Sequence, residues 1–217
     1  MKNQFYQIIS IIAIISYFIP LSIVLFKKLW KEKPFVLFAG YWGLNGIVSL
    51  LDKVPGIDKG LLEKITVVYN MLDIPIVLGL LFIATSSTSI KKFTKIVAPS
   101  FLLLQVINFM ILGWNYNSAK YTLALGLLLI LTCLVWEISL FMHKLEHTDH
   151  ENAMIFIYVS LLFAYGTFIV IYIFDYYVTV SDSNIDNFLI YYISSLVAII
   201  IASIGFLAKK TSRKIFL

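Results

Sequence analysis

The sequence predicts an all-α integral membrane protein built as a bundle of seven transmembrane helices. The chain of 217 residues is 60% hydrophobic and only 13% charged, and its mean hydropathy is +0.92. A soluble domain carries about 25% charged residues. Apolar runs alternate with short polar stretches along the whole chain. Because these stretches are too short to hold a second domain, we expect residues 1–217 to form a single domain.

Seven apolar runs, each about the length that crosses a bilayer, define the predicted spans. They are residues 5–26, 34–51, 61–84, 96–114, 119–143, 152–177 and 187–208. The first run follows one lysine and has no small-residue cleavage site after it, so we interpret it as a retained span rather than a signal peptide. Pro20 lies near the cytoplasmic end of this span, where a kink is tolerable if neighbouring groups satisfy the freed carbonyl, and Pro34 suits the first turn of the second span.

Spans two and three each carry a polar face. On span two the polar residues follow at helical spacing, at Tyr41, Asn45, Ser49 and Asp52. On span three they are Thr66, Tyr69, Asn70 and Asp73. An Asp at the centre of a membrane helix costs about 2.5–3.5 kcal/mol on insertion scales, so this face is unsuited to lipid. We therefore expect Asp73 to point into the bundle and to be its central polar group.

Polar residues are sparser in the later spans. In span four, Gln105 and Asn108 are three residues apart and so share a face. Span five is apolar until Glu137, in its last third. Span six carries tyrosines spaced by seven residues, at Tyr158, Tyr165 and Tyr172. Span seven has Tyr191 and Ser195 along one side.

Polar stretches between the spans are interpreted as loops. They include a basic cluster before span four, at Lys91, Lys92 and Lys95, and residues 144–151 before span six. Twelve of the 17 Lys and Arg residues follow spans one, three, five or seven, and five lie on the opposite side. Since positive charge marks the cytoplasmic side, we expect an outside N-terminus and a cytoplasmic C-terminus in the cell membrane.

The candidate ligand-binding residues centre on Asp73 near the middle of the membrane. The others are Asn45, Asn70, Gln105, Asn108, Tyr165 and, nearer the cytoplasm, Glu137. No Lys or Arg lies in the middle of a span, so Asp73 has no fixed countercharge. It is then either neutral or able to receive a proton, a metal cation or a cationic solute. The alternative is an acid that only joins helices through hydrogen bonds.

The sequence assigns no catalytic residue, no metal site and no cofactor. His143 and His147 are four residues apart, as in many zinc sites, but their segment lacks the HExxH order and is interpreted as a solvated connector. Cys133 lies in an apolar run and is interpreted as a small buried hydrophobe. Basic residues sit at the ends of spans rather than on one surface, which argues against a nucleic-acid partner.

This chain lacks the main feature of each of three families of seven-helix proteins. The run from Tyr69 to Pro75 loosely resembles the third helix of microbial rhodopsins, but the last span has no lysine to bind retinal. Sugar transporters of the SWEET type carry prolines in both halves, whereas all five prolines here precede residue 100. Zinc hydrolases resembling alkaline ceramidase distribute His over several spans, which this chain does not. The chain is therefore assigned to no family.

We expect a non-enzymatic membrane protein that senses or transports a small solute or cation at Asp73. Its partners would be membrane lipids, the solute and, for a sensor, a membrane or cytoplasmic protein. One alternative is an intramembrane hydrolase, possibly zinc-dependent, in which Asp73 or Glu137 acts on a lipid-like substrate. Another is a structural or assembly subunit whose polar face docks a second membrane protein.

Overall fold

Eight α-helices make up the computed structural model, which describes residues 2–51, 53–54, 56–176 and 187–209. They are α1 (Lys2–Ser16), α2 (Ile19–Phe26), α3 (Lys33–Leu51), α4 (Lys59–Ala84), α5 (Thr88–Leu112), α6 (Tyr116–Met142), α7 (Asp149–Tyr176) and α8 (Asn187–Ala208). A short 3-10 helix, Leu29–Lys31, joins α2 to α3. No strand occurs in the ranges described. Asp52 lies outside them.

Seven helices are long and apolar enough to cross a membrane, when α1 and α2 are counted together. This confirms the predicted all-α class and the number of apolar helices. The outward surface carries large exposed apolar side chains, such as Phe26 at 86% and Met110 at 76% exposure. Such a surface suits hydrocarbon better than water.

The first span is broken at Tyr17 and Phe18, just before Pro20. Proline lacks an N–H and its ring crowds the carbonyl four residues earlier, so the helix ends before it and restarts as α2. Helix α3 passes close to this break at Gly46. A Cβ there would lie 2.9 Å from the Tyr17 Cβ and from the Phe18 ring. The close approach of α3 to the break therefore depends on glycine at that position.

Helix α5 begins at Thr88, so the prediction that span four starts at residue 96 was wrong. The Ser87 side chain caps the helix by accepting a hydrogen bond from the Ile90 N–H at 3.4 Å. The three lysines predicted to lie in a loop occupy its first turns instead, at Lys91, Lys92 and Lys95. Their side chains are exposed, whereas Ile90 is buried. The long apolar stem of a lysine lets its ammonium group reach water from within a helix. A membrane helix can therefore carry lysines in its first turns.

Helix α7 also begins earlier than predicted, at Asp149 rather than residue 152. Thr148 and Glu151 form a reciprocal cap: Glu151 Oε2 accepts from the Thr148 N–H at 2.9 Å, and Thr148 Oγ1 accepts from the Glu151 N–H at 3.2 Å. Residues 149–151, predicted as loop, therefore belong to the helix.

The interior is formed mainly where α4, α6 and α7 meet. Helix α7 packs along α8 on one side and α6 on the other, while α4 packs against α3, α5 and α6. Ile74, Leu78, Ile130, Leu161 and Tyr165 are each fully buried in this core. The two segments of the first span close the bundle against α3 and α8.

Candidate functional site

Asp73 lies inside the bundle on α4 and is bound by three tyrosines. Tyr165 of α7 donates to Asp73 Oδ2 at 2.6 Å, while Tyr41 of α3 and Tyr69 of α4 donate to Oδ1 at 3.0 and 3.2 Å. Pro75, two residues further along α4, removes one backbone hydrogen bond of the helix next to this site. One carboxyl group thus joins three spans.

The tyrosines also bond to one another and to Asn45. The hydroxyl oxygens of Tyr41 and Tyr165 are 2.9 Å apart. The Tyr69 hydroxyl donates to Asn45 Oδ1 at 2.7 Å, and Asn45 Nδ2 donates to the Tyr41 carbonyl at 2.9 Å. We refer to these five residues, Asp73, Tyr41, Asn45, Tyr69 and Tyr165, as the Asp73 cluster.

The Asp73 cluster is largely buried, and its five side chains include no basic group. Tyr165 is fully buried, and Tyr41 and Asn45 are 5% and 7% exposed, while Asp73 and Tyr69 are half-buried. Within the described part of the chain, no Lys, Arg or His forms an ion pair with Asp73. The carboxyl group therefore meets only neutral hydroxyl groups, which both donate and accept hydrogen bonds. Such an oxygen-rich site suits a proton or a small cation.

A second group of hydroxyls lies along the same polar face of α3. Tyr17, at the break in the first span, donates to Ser195 Oγ at 2.8 Å and approaches the Tyr191 hydroxyl at 3.2 Å. The Ser49 hydroxyl lies beside Tyr191. We refer to these four residues as the Tyr191 group. Ser49 follows Asn45 by one helical turn, so α3 carries both groups on one face.

The remaining candidates predicted from the sequence lie outside the Asp73 cluster. Asn70 is half-buried on α4 and makes no side-chain hydrogen bond to any residue described. Gln105 is buried on α5, a helix that packs against α4 and α6. Its Oε1 has no hydrogen-bond partner among the described residues. Asn108 donates to the Ser118 carbonyl at 2.5 Å. Glu137 lies on α6 beside a separate cavity.

Sequence reasoning omitted Tyr41 and Tyr69 from the candidate residues. Both belong to the polar faces recognised on spans two and three, and both stand four residues before a chosen polar residue, Asn45 and Asp73 respectively. Residues four apart on a helix are neighbours. This spacing was the available signal for both tyrosines.

Glu137 lines a cavity of about 440 Å³ near the turn between α4 and α5. The side chain of Glu137 is 8% exposed, and its Oε1 has no hydrogen-bond partner in the described structure. The Thr85 hydroxyl lies beside this carboxyl group. Tyr158 of α7 also lines the cavity. Two tyrosines spaced by seven on α7 therefore face two different acids.

The histidines have separate surroundings. His147 stacks on the Phe141 ring with centroids 3.7 Å apart, whereas His150 Nδ1 is 3.5 Å from Glu32 Oε2. Across the described ranges, no three His, Cys, Asp or Glu side chains are placed to hold one metal ion. Cys133 is buried and carries a free thiol.

Comparisons with protein families, with curated proteins and with solved structures find no match to this chain.

Proposed function

We propose that this protein senses or transports a small cation, most simply the proton, at the Asp73 cluster within a cell membrane. In this proposal the N-terminus is outside and the C-terminus is cytoplasmic, as the distribution of Lys and Arg favours. The proposal depends on one observation: the Asp73 cluster has more close oxygen–oxygen contacts than its hydroxyl groups have protons.

The Asp73 cluster contains five close oxygen–oxygen contacts but only three hydroxyl protons. If all three tyrosines donate to Asp73, no proton is left for the 2.9 Å contact between Tyr41 and Tyr165 or the 2.7 Å contact between Tyr69 and Asn45. A fourth proton on Asp73 Oδ1 is donated to Tyr41. Tyr41 then donates to Tyr165, and Tyr69 to Asn45.

The protonated arrangement leaves only the longest contact, 3.2 Å between Tyr69 and Asp73, without a proton. The short contacts then form a closed ring from Asp73 through Tyr41 and Tyr165 back to Asp73. Removing the proton breaks this ring and leaves a negative charge among neutral hydroxyls. Because α3, α4 and α7 are joined through the ring, proton loss or its replacement by another cation changes how these three helices are held together.

A route for the cation is supported by the Tyr191 group. Beyond it, near the N-terminal end of the first span, a cavity of about 370 Å³ is lined by Tyr6, Gln7, Ser10, Ile11 and Lys53. The Tyr6 ring packs edge-on against Tyr192, the neighbour of Tyr191. In the proposed orientation this cavity faces outward, and the Tyr191 group lies one helical turn of α3 from the Asp73 cluster.

Infrared spectroscopy tests whether Asp73 carries a proton. In the purified protein in lipid nanodiscs, we expect a carboxylic-acid C=O stretching band that disappears as the pH is raised. An Asp73→Asn variant should lack this band, whereas Glu137→Gln, which removes a buried acid outside the cluster, should keep it. A band that is unchanged in Asp73→Asn at every pH at which the protein stays folded would refute the proposal.

Proteoliposomes with an internal pH dye separate transport from sensing. Proton entry driven by a potassium-diffusion potential that occurs with the native chain and is lost in Asp73→Asn indicates transport. A titrating Asp73 band without proton entry indicates a sensor, which must pass its signal to a partner protein.

A further inference from the structure

The cavity beside Glu137 is independent of the Asp73 cluster and has the dimensions of a ligand site. It lies where the end of α4 and the start of α5 meet the end of α6 and the start of α7. Its volume of about 440 Å³ falls within the range of small-molecule sites, about 300–1,000 Å³. Such sites combine an apolar lining with a few polar groups that orient the ligand.

Two such groups lie in the buried part of the cavity. Glu137 and Tyr158 are 8% and 6% exposed, so both side chains are more than nine-tenths buried, and both line the cavity. Glu137 Oε1 is buried without a hydrogen-bond partner among the described residues, and the Tyr158 hydroxyl bonds to none of them. Leaving a buried polar atom such as Oε1 unpaired costs about 1–3 kcal/mol, more if it is charged. A ligand with several N–H donors can bond to the Glu137 carboxyl group, after a small rotation of that side chain, and to the Tyr158 hydroxyl.

The rim of the same cavity suits an anion. It includes Ser86, Ser87 and Thr88, where α5 begins. The first N–H groups of a helix have no intrahelical partners; Ser87 caps that of Ile90, and those of Thr88 and Ser89 are left to attract negative charge. Lys144 and Glu151 both line the cavity and pair at 2.6 Å, so the lysine balances the acidic side chain on the rim and keeps two further ammonium protons. Thr85 lies beside Glu137, so the part of the rim that would bind an anion begins close to the buried acid.

We propose that this cavity binds a zwitterionic phosphoethanolamine group. Its primary ammonium donates hydrogen bonds to Glu137 and Tyr158, and its phosphate is held by the start of α5 and by Lys144. Leu140, Phe141, Met154 and Ile155 provide apolar lining beside these groups. The group has two possible sources, the headgroup of phosphatidylethanolamine and free phosphoethanolamine.

Native mass spectrometry of the delipidated protein tests the proposal. The protein is offered equal amounts of phosphatidylethanolamine and phosphatidylcholine with identical acyl chains, which differ in that choline has no N–H donor. We expect about a tenfold preference for phosphatidylethanolamine, the ratio that corresponds to a charge-assisted hydrogen bond. Glu137→Gln should abolish the preference, and Tyr158→Phe should reduce it.

Glu146→Gln is the matched control, because it removes the same charge from an exposed residue that does not line the cavity. This variant should keep the full preference. Equal binding of the two lipids by the native chain, or an undiminished preference in both Glu137→Gln and Tyr158→Phe, would overturn the proposal.

Adding free phosphoethanolamine distinguishes the two sources. If it displaces phosphatidylethanolamine and raises the melting temperature of the native chain but not of Glu137→Gln, the headgroup alone is sufficient. If it does neither while the lipid preference remains, the site recognises the headgroup only as part of a lipid. Both results support the cavity as a phosphoethanolamine site, and neither depends on Asp73.

Discussion

At the scale of single residues, hydroxyl groups take the place of countercharges in this bundle. Asp73 meets three phenols, and the shortest of their bonds, 2.6 Å from Tyr165, comes from a fully buried side chain. A phenol hydroxyl both donates and accepts, so the tyrosines can bond to Asp73 whether or not it is protonated. A lysine or arginine would instead favour the charged acid. This choice of partners makes reversible protonation physically reasonable.

Removing the Tyr165 hydroxyl should weaken the junction between α4 and α7. We expect Tyr165→Phe to lower the free energy of unfolding by about 1 kcal/mol, within the range measured for hydrogen bonds between membrane helices. Reversible unfolding in mixed micelles, followed by circular dichroism, measures this change. Tyr121→Phe provides the control, since Tyr121 is 67% exposed and its variant should stay within about 0.5 kcal/mol of the native chain. Equal effects of the two variants would count against a strong Tyr165–Asp73 bond.

At the scale of helices, close contact between α7 and α8 depends on a small residue. A Cβ on Gly205 of α8 would lie 2.6 Å from the Ala153 carbonyl oxygen and 3.0 Å from the Phe156 Cβ. The nearest atom belongs to the backbone, which cannot rotate away as the end of a side chain can. Helices that touch through glycine in this way are common in membranes.

Adding one methyl group at Gly205 should therefore force α7 and α8 apart. We expect Gly205→Ala to lower the free energy of unfolding by about 1–3 kcal/mol, the usual cost of overpacking. Gly166→Ala on α7 is the control, because a Cβ at Gly166 meets nothing within 4 Å. The same unfolding assay applies to both variants. Since Ala has the higher helix propensity, Gly166→Ala should not lower the free energy of unfolding, and a loss there that matched the loss at Gly205 would contradict the role of the α7–α8 contact.

The end of α8 is held by a lysine from the first span. Lys27 Nζ donates to the carbonyl oxygens of Leu207 and Lys209, each at 2.6 Å. The last carbonyls of a helix lack intrahelical partners and carry partial negative charge, so a cation stabilises them. This bond ties the first span to the last.

Replacing Lys27 by Met keeps the apolar stem and removes the cation. We expect a loss of about 0.3–1 kcal/mol in the free energy of unfolding and faster amide hydrogen exchange in the last turn of α8. Lys31→Met removes the same charge from an exposed side chain and should leave exchange in α8 unchanged. If Lys31→Met accelerated exchange equally, net charge rather than capping would be responsible.

At the scale of the whole molecule, the distribution of basic residues predicts which loops face the cytoplasm. The chain has one cysteine, Cys133, which is fully buried on α6. Its replacement by Ala gives a background in which single cysteines report exposure. Val54, between α3 and α4, and Glu146, between α6 and α7, are both exposed and lie on opposite predicted sides.

In that background, a membrane-impermeant maleimide should label Val54→Cys in intact cells. It should label Glu146→Cys only after the cells are permeabilised. The physical reason is the excess of positive charge after spans one, three, five and seven, which is expected to keep those loops in the cytoplasm. The reverse labelling pattern would contradict the proposed orientation and would place the cavity near Lys53 on the cytoplasmic side.

The sequence by itself determined the all-α class and the number of long apolar helices. These depend on the length and composition of each run, which are local properties. The starts of α5 and α7 were misplaced by this reasoning, because charged residues such as Lys91 and Glu151 were counted as loop although side-chain caps draw them into helices. A cap depends on particular atoms, whereas hydropathy averages over them.

Only the tertiary structure decided which polar groups meet. Tyr165 reaches Asp73 from a position 92 residues further along the chain, while Gln105, at a similar predicted depth, makes no hydrogen bond to the Asp73 cluster. The rotation of each helix about its axis is determined by packing against its neighbours, as at Gly46 and Gly205. Because no single span specifies that rotation, periodicity identified the polar faces but not which of them come together.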